Sequence, residues 1–310
     1  MLSPRDAQST VAQLQAALGA LELPDDSALR QEVLNLCDRL QNPNIRIAVF
    51  GPFNYGKSTL LNALLGDKTL PMDLIPTTGA AILVRYGEKT LSRITLKDGS
   101  QVKAPGTQIL QEYATLDEQR RMRDEVQSVE VDCPHEFLKT GVEFLDLPGT
   151  DDQSAQDELV KTQLLTANVV IQLLDGRKLM TLGEREHLRD WLLDRGIHTV
   201  VFVVNFLNLM EPTDQQQVMR RMRFVAESFR SNLASGLSNL YRVDALPALR
   251  ACLKGDRDQV EASGLPTLET ALQRITHSFG EPTGSVSNAH LQEIQRQLTT
   301  AINQKITKSR

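Results

Sequence analysis

The feature that most narrows what this chain can become is the stretch GPFNYGKSTLLNALLG, residues 51–66, which follows directly on the apolar run IRIAVF at 45–50. Gly51, Gly56, Lys57 and Ser58 complete G-x-x-x-x-G-K-S, with Pro52, Phe53, Asn54 and Tyr55 between the glycines. A strand that turns sharply into a helix leaves the first helical N–H groups unpaired, and glycines let them curl around an anion. In that frame Lys57 reaches the β/γ oxygens of a nucleoside triphosphate, and the Ser58 hydroxyl can ligate Mg²⁺. Thr59 continues the same helical turn and belongs with the nucleotide-binding residues. A glycine-rich turn alone is a weak signal. A strand before it and a helix at 57–65 after it make it a phosphate loop.

Two segments downstream bear on the same ligand. Asp146-Leu147-Pro148-Gly149 closes the apolar run VEFLDL at 142–147. A carboxylate there can hold Mg²⁺ through water, and the Gly149 N–H can sense a γ-phosphate. DLPG by itself is a common turn; downstream of a phosphate loop it points to a switch GTPase rather than an ATPase or kinase. The stretch LPMDLIPTTGAAILV, residues 70–84, lies between the phosphate-loop helix and the next strand. A threonine in such a loop can close over Mg²⁺ and the γ-phosphate. Thr77 and Thr78 are the candidates.

The rest of the chain alternates short apolar runs with helical patterns. IRIAVF (45–50), AAILVRY (80–86), RITLK (93–97), SVEVDC (128–133), VEFLDL (142–147), NVVIQLL (168–174), TVVFVVN (199–205) and LYRVDAL (240–246) read as strands. Helices are expected at 57–65, 108–125, 155–166, 182–194, 213–235 and 265–278. Strands that are apolar almost throughout belong in a sheet covered on both faces. The class is therefore α/β, a doubly wound P-loop domain with a central mixed, mostly parallel sheet between helices. Flanking it are amphipathic helices. Val11, Leu14, Leu18 and Leu21 recur at helical spacing, Leu23-Pro24-Asp25 interrupts, and Leu29, Val33, Leu36 and Leu40 resume. From about Ser285 the pattern returns in Leu291, Ile294, Leu298, Ile302 and Ile306. Each stripe is apolar on one side only and needs a partner. The expected division is 1–44 for N-terminal bundle helices, 45–282 for the α/β domain and 283–310 for a further bundle helix.

Charge and cysteine usage exclude several classes. Lys plus Arg number 34 against 39 Asp plus Glu, a net charge of −5, so no basic excess supplies affinity for a nucleic-acid backbone. Arg220, Arg221 and Arg223 read as a solvated helix face. Cys37, Cys133 and Cys252 are odd in number and form no C-x-x-C pair, which argues against a disulfide framework or metal site and for a reduced, cytoplasmic setting. His135, His187, His198, His277 and His290 show no metal-ligand spacing, and Trp191 with Leu188 and Leu192 reads as packing. No signal-peptide pattern is visible, and no apolar run reaches about 18 residues, so membrane contact is expected to be peripheral.

Taken together, GPFNYGKSTLLNALLG, LPMDLIPTTGAAILV and EFLDLPGTDD resemble the GTPase domain of the dynamin superfamily, bacterial dynamin-like proteins above all. The likeness covers roughly residues 45–282, with flanking helices where that family carries its bundle signalling element. It implies binding of GTP and GDP with Mg²⁺, hydrolysis of the β–γ bond, a homodimer formed through the nucleotide face, and membrane remodelling. The family's stalk and lipid-binding region have no counterpart in these residues, so a longer natural protein is expected. Aligned from Leu70-Pro71, the family's switch threonine falls on Thr78, with Thr77 in reserve.

Two departures from the family pattern stand out. Such GTPases carry N/T-K-x-D after a buried strand; this chain has Asn205-Phe206-Leu207-Asn208. Asn205 can brace the phosphate loop. Asn208 offers one carbonyl acceptor and an NH₂ donor where a carboxylate would accept twice from guanine. An unmatched donor there costs about 1–3 kcal/mol. Asp244, just after LYRV, either supplies the missing carboxylate or caps the strand. The second departure concerns hydrolysis. No glutamine directly follows DLPG, where Thr150-Asp151-Asp152 stands, and the position of the eukaryotic phosphate-loop glutamine is Phe53, which cannot orient water. Asn54 resembles the asparagine of potassium-stimulated GTPases, whose carbonyl helps hold K⁺ beside the β/γ bridge, or it merely caps the loop. A second function follows from these departures: a nucleotide-gated scaffold that binds GTP and barely turns it over.

Overall fold

In the computed structural model the described residues are all but 1–3, 22, 25–26, 42–43, 73–79, 115–124, 150–159, 161–162, 165, 179–191, 193–196, 198, 230–232, 234, 281–287 and 309–310. Among them the eight apolar runs and one further strand form one nine-stranded sheet: β1 Ile45–Phe50, β2 Ile82–Tyr86, β3 Leu91–Leu96, β4 Gln101–Pro105, β5 Val126–Cys133, β6 Val142–Asp146, β7 Val169–Asp175, β8 Val200–Asn205 and β9 Leu240–Arg242. The order across the sheet is β4-β3-β5-β2-β6-β1-β7-β8-β9. From β6 to β9 every pairing is parallel, and β2 also runs parallel to β5. The β2–β6, β3–β4 and β3–β5 pairings are antiparallel. The sheet is thus mixed and mostly parallel. Every residue of β6, β7 and β8 is buried, which is what their continuous apolar sequence requires in water.

The helices among the described residues are α1 Pro4–Leu21, α2 Ala28–Gln41, α3 Lys57–Leu65, α4 Leu110–Tyr113, α5 Glu136–Lys139, α6 Pro212–Ser228, α7 Ala245–Lys254, α8 Arg257–Ala262, α9 Leu265–Gly280 and α10 Asn288–Lys308. On one side of the sheet Ala48, Phe50, Leu145, Val170, Leu174, Phe202 and Val204 pack with Val218, Met222 and Phe229 from α6 and the segment after it. The Phe202 and Phe229 rings meet edge to face, 4.9 Å between centroids.

Several elements differ from the sequence reading. β4 lies in QVKAP, an exposed strand whose apolar content is too low to signal itself; it exists because the turn at Gly99 (φ 83°) folds it back onto β3. Of the helix expected at 108–125 only α4 is described, and residues 115–124 lie outside the described set. LYRVDAL is not one strand: β9 stops at Arg242, and α7 starts at Ala245 with Ala245, Ala248 and Leu249 buried at helical spacing. Most of 155–166 and 182–194, including Trp191, falls outside the described residues, although Val160, Leu164 and Leu192 are described and buried.

By its internal contacts the chain divides into two compact units, 45–275 and 1–44 together with 276–310. In the second, Val11, Leu14, Leu18 and Leu21 of α1, Val33 and Leu36 of α2 and Leu291, Ile294 and Leu298 of α10 bury together. Leu29 and Ile302 pack against them half-buried; the side chains of Leu40 and Ile306 are outside the described set. Lys305 Nζ donates to the Ala20 carbonyl at 3.0 Å, tying α10 to α1.

Candidate nucleotide site

The site grows from the carboxyl end of β1. Gly51 leaves the strand, and the loop turns twice through left-handed backbone, at Asn54 (φ 62°) and Gly56 (φ 90°). Asparagine is among the few side chains that tolerate that region. Gly56 has a second reason to be glycine: a Cβ there would stand 2.6 Å from Asn205 Nδ2. α3 then begins at Lys57, with the Leu60 N–H donating to the Gly56 carbonyl at 2.9 Å. Lys57 is only 7% exposed, and its Nζ donates to the carbonyls of Gly51 (2.9 Å) and Pro52 (3.0 Å). The loop therefore wraps a buried ammonium. Phe53, Tyr55, Ser58 and Thr59 are half-buried around it, and Asn54 is exposed.

Parallel pairing of β1 with β6, with Val49 opposite Asp146, sets the carboxylate beside the start of the loop. Ser58 Oγ donates to Asp146 Oδ2 at 2.6 Å. Asp146 is fully buried, and its Oδ1 has no hydrogen-bond partner among the described residues. Burial pushes its carboxyl up to about 6, with the Ser58 hydroxyl and the Lys57 ammonium pulling the other way. A hydroxyl and a carboxylate with one unpaired oxygen are hard oxygen donors, the kind Mg²⁺ prefers. The residues present fit that ion. Gly149 packs directly on the loop: a Cβ there would stand 2.8 Å from Phe53 Cα and 2.9 Å from Phe53 N. Thr77 and Thr78, and Thr150 to Asp152 after DLPG, lie outside the described residues.

β8 delivers Asn205, whose side chain joins three segments. Its Nδ2 donates to the Tyr55 carbonyl at 2.9 Å, and its Oδ1 accepts from the N–H groups of Phe206 (2.8 Å) and Ala245 (3.0 Å). Phe206 follows in left-handed backbone (φ 65°), then a 3₁₀ turn at Leu207–Leu209 leaves Asn208 exposed. Asp244, 2% exposed, lies against this turn. Its Oδ1 accepts from the Asn208 N–H at 2.9 Å, and its Oδ2 accepts from Arg242 Nε (3.1 Å) and Nη2 (2.8 Å). It precedes α7 without a side-chain bond to the helix N–H groups. Arg242 also donates to Gln215 Oε1 at 2.8 Å, and Gln215 Nε2 donates to the Met210 carbonyl at 2.9 Å. Both carboxylate oxygens of Asp244 are thus engaged in shaping the turn.

A further cluster escaped the sequence reading. At the end of β7 the side chain of Asp175, 3% exposed, accepts from Arg177 three times: N and Nε on Oδ1 (each 2.9 Å) and Nη2 on Oδ2 (2.8 Å). Burial alone would raise the Asp175 carboxyl, but Arg177 and Lys178 hold it below the usual carboxylate range. The Arg177 guanidinium stands 4.2 Å from the centroid of the Phe206 ring, and Lys178 Nζ lies 5.3 Å from that of Tyr55. The available signal was the charged run DGRK directly after NVVIQLL, at the carboxyl end of a central parallel strand.

A phosphate loop between β1 and α3, with a buried carboxylate from the adjacent parallel strand, defines a P-loop nucleotide-binding fold. The Dynamin family profile matches residues 47–207, more than half of the chain, and the chain belongs to that family. It is 28% identical over 256 residues to a bacterial dynamin-like protein of Nostoc punctiforme, covering 75% of this chain and 37% of that protein. Dynamin-like protein 1 of Campylobacter jejuni is 22% identical, covering 91% of this chain and 44% of its own length. A solved structure of an oligomerised bacterial dynamin pair shares the fold, with a TM-score of 0.60 at 20% identity over 97% of this chain and 47% of that one. The chain spans less than half the length of these relatives. Among the described residues no helix is long and apolar enough to cross a membrane.

Proposed function

We propose that this chain is the GTP-binding and GTP-hydrolysing part of a dynamin-like protein that remodels membranes. The observation that carries the reading is the Ser58–Asp146 pair, 2.6 Å apart beside the buried Lys57, with one carboxylate oxygen unpaired among the described residues. Lys57 holds the β/γ oxygens in place of the loop carbonyls it now meets. Ser58, Asp146 and Thr78 (Thr77 if the alignment slips by one) would hold Mg²⁺, which would neutralise charge on the phosphates. Backbone N–H groups from Gly51 through Thr59 cradle the phosphates, and the Gly149 N–H, packed against Phe53, responds to the γ-phosphate. Asn205, Asn208 and Asp244 form the base end of the site.

The same reading gives the remaining parts their roles. Residues 45–282 form the GTPase domain and dimerise through the nucleotide face. Residues 1–44 and 283–310 form the helical element that relays its state. Any membrane association is peripheral, in a cytoplasmic setting. In support, the oligomerised bacterial dynamin pair that shares the fold provides a mechanism for the long-range sensing and tethering of membranes.

Turnover per chain tests it. GTP hydrolysis in Mg²⁺ should rise severalfold as the protein concentration increases, because a site with no glutamine directly after DLPG gains transition-state groups from its partner. GTP binding with flat, near-zero turnover at every concentration would leave the nucleotide-gated scaffold instead.

Asn54 has a role of its own in this scheme. It is exposed at the loop, so its carbonyl is available to a monovalent cation. Exchange of Na⁺ for K⁺ at constant ionic strength should raise turnover severalfold in the native chain and leave Asn54→Ala unmoved. Equal rates in both salts would reduce Asn54 to a residue that suits the left-handed turn.

A further inference from the structure

We infer that the nucleotide's purine base is held mainly by stacking on Phe206, backed by Arg177, and only weakly read at its edge, so that the site binds guanine, hypoxanthine and xanthine nucleotides with little preference among them. The inference rests on the nucleotide-binding function proposed above and adds what kind of base recognition the site performs. Three observations carry it.

The first is the edge. Asn208 is exposed and carries an amide, with a single carbonyl acceptor for the two donors of guanine and an NH₂ group that suits the 2-oxo group of xanthine equally well. The carboxylate of Asp244 is nearby but committed. One oxygen holds the Asn208 N–H and the other the Arg242 guanidinium, inside a network that continues to Gln215 and the Met210 carbonyl. It shapes the turn and leaves the edge to the amide.

The second is the platform. Phe206 is a bulky residue in left-handed backbone, a conformation that asparagine or glycine adopts with far less strain. The turn geometry does not call for a phenyl ring. Yet the ring is kept, half-buried, with its Cζ 3.9 Å from where a Gly56 Cβ would stand. It therefore borders the phosphate loop, beside the path from phosphates to base.

The third is rigidity. Arg177 stands 4.2 Å from the ring centroid, and its guanidinium is fixed by the buried Asp175 side chain. Phe206 itself is pinned through its N–H to Asn205 Oδ1, the side chain that also holds the Tyr55 carbonyl. A ring preset in this way loses little freedom when a base stacks on it. Stacking engages the π-face common to all purines and is indifferent to the exocyclic groups that distinguish them.

Calorimetric titration of the full chain with GDP, IDP and XDP in Mg²⁺ tests the inference. In the native chain the three dissociation constants should lie within about tenfold of one another. Phe206→Asn, which suits the left-handed backbone and deletes the ring, should weaken all three by a similar factor of about 10- to 100-fold. Arg177→Gln should weaken all three about threefold to tenfold. Native binding of GDP more than about a hundredfold tighter than IDP and XDP would overturn the inference, because an edge reader would then dominate. So would unchanged binding in Phe206→Asn. If none of the three binds the native chain, the proposed nucleotide function falls with it, an outcome distinct from selective GDP binding.

Discussion

Lys57→Ala should lower GTP turnover by at least about a hundredfold while the folded chain keeps its circular-dichroism spectrum and a melting temperature within a few degrees of native. The ammonium is buried, and its described hydrogen bonds run to the carbonyls of Gly51 and Pro52 at the rim of the phosphate loop. Truncation leaves those carbonyls to water that enters beside the loop, so the structural loss is small. The catalytic loss is not. Removing one fixed charge or donor aimed at developing negative charge in a sheltered site costs roughly 10²–10³ in rate. A well-folded Lys57→Ala protein with native turnover would remove the site from consideration. The same variant carries an internal check, since the Lys57 charge is one of the influences holding down the carboxyl of Asp146. Without it that carboxyl should titrate higher still.

Asp146→Asn should make the nucleotide-free, metal-free chain more stable at pH 7.5 and at the same time abolish turnover in Mg²⁺. The sign follows from burial. An aspartate ordinarily titrates near 3.8, whereas this one titrates at about 6 in the folded chain. Below the lower value both folded and unfolded chains are protonated, and the group has no adverse effect. Between the two, the folded chain holds a proton that the unfolded chain has released, and stability declines as pH rises. Above about 6 the fold carries a buried carboxylate at a cost of about 3 kcal/mol, at 1.36 kcal/mol per pKa unit. Asparagine keeps the shape, can still pair with the Ser58 hydroxyl and carries no charge. Urea unfolding in EDTA should therefore show a variant more stable by about that amount at pH 7.5, converging with native near pH 4. A variant less stable than native at pH 7.5, or one that still hydrolyses GTP at the native rate, would refute the role assigned to this carboxylate. Such a trade of stability for activity is common where a charge is buried to await a cation.

The parts of this fold that were legible in the sequence are those where burial leaves little choice. β1, β6, β7 and β8 are covered on both faces, so their residues are apolar almost without interruption. α3 begins and ends where the phosphate loop and Gly66 dictate. The outer sheet is harder. β3 and β5 alternate, and their polar side is satisfied across strands, with Arg93 reaching Glu130 at 2.7 Å and Asp132 at 3.3 Å. β4 offers almost no apolar signal at all. LYRVDAL misled because a strand and a buried helix start are both apolar over seven residues, and only the 3- and 4-residue spacing of Ala245, Ala248 and Leu249 separates them. In the site, the residue types of the phosphate loop and of DLPG were readable because their chemistry is local. The stack of Arg177 on Phe206 and the engagement of Asp244 were not. They join positions 29 and 36 residues apart in sequence, just past the ends of different strands, and only the register of β7, β8 and β9 makes them neighbours.

The helical unit built from α1, α2 and α10 has a consequence for how the chain is made. α1 and α2 are synthesised before the sheet and before α10, and their Val11, Leu14, Leu18 and Leu36 are buried only in company with α10. The helix that covers them, with Leu291, Ile294 and Leu298, begins about 250 residues after α2 ends. At roughly 5–20 residues per second, that is some 10–50 seconds of synthesis. Throughout that interval the strands of the nine-stranded sheet are being synthesised while the apolar stripes of α1 and α2 still lack α10. The early helix pair is therefore where a holding chaperone would do most for the yield of this protein.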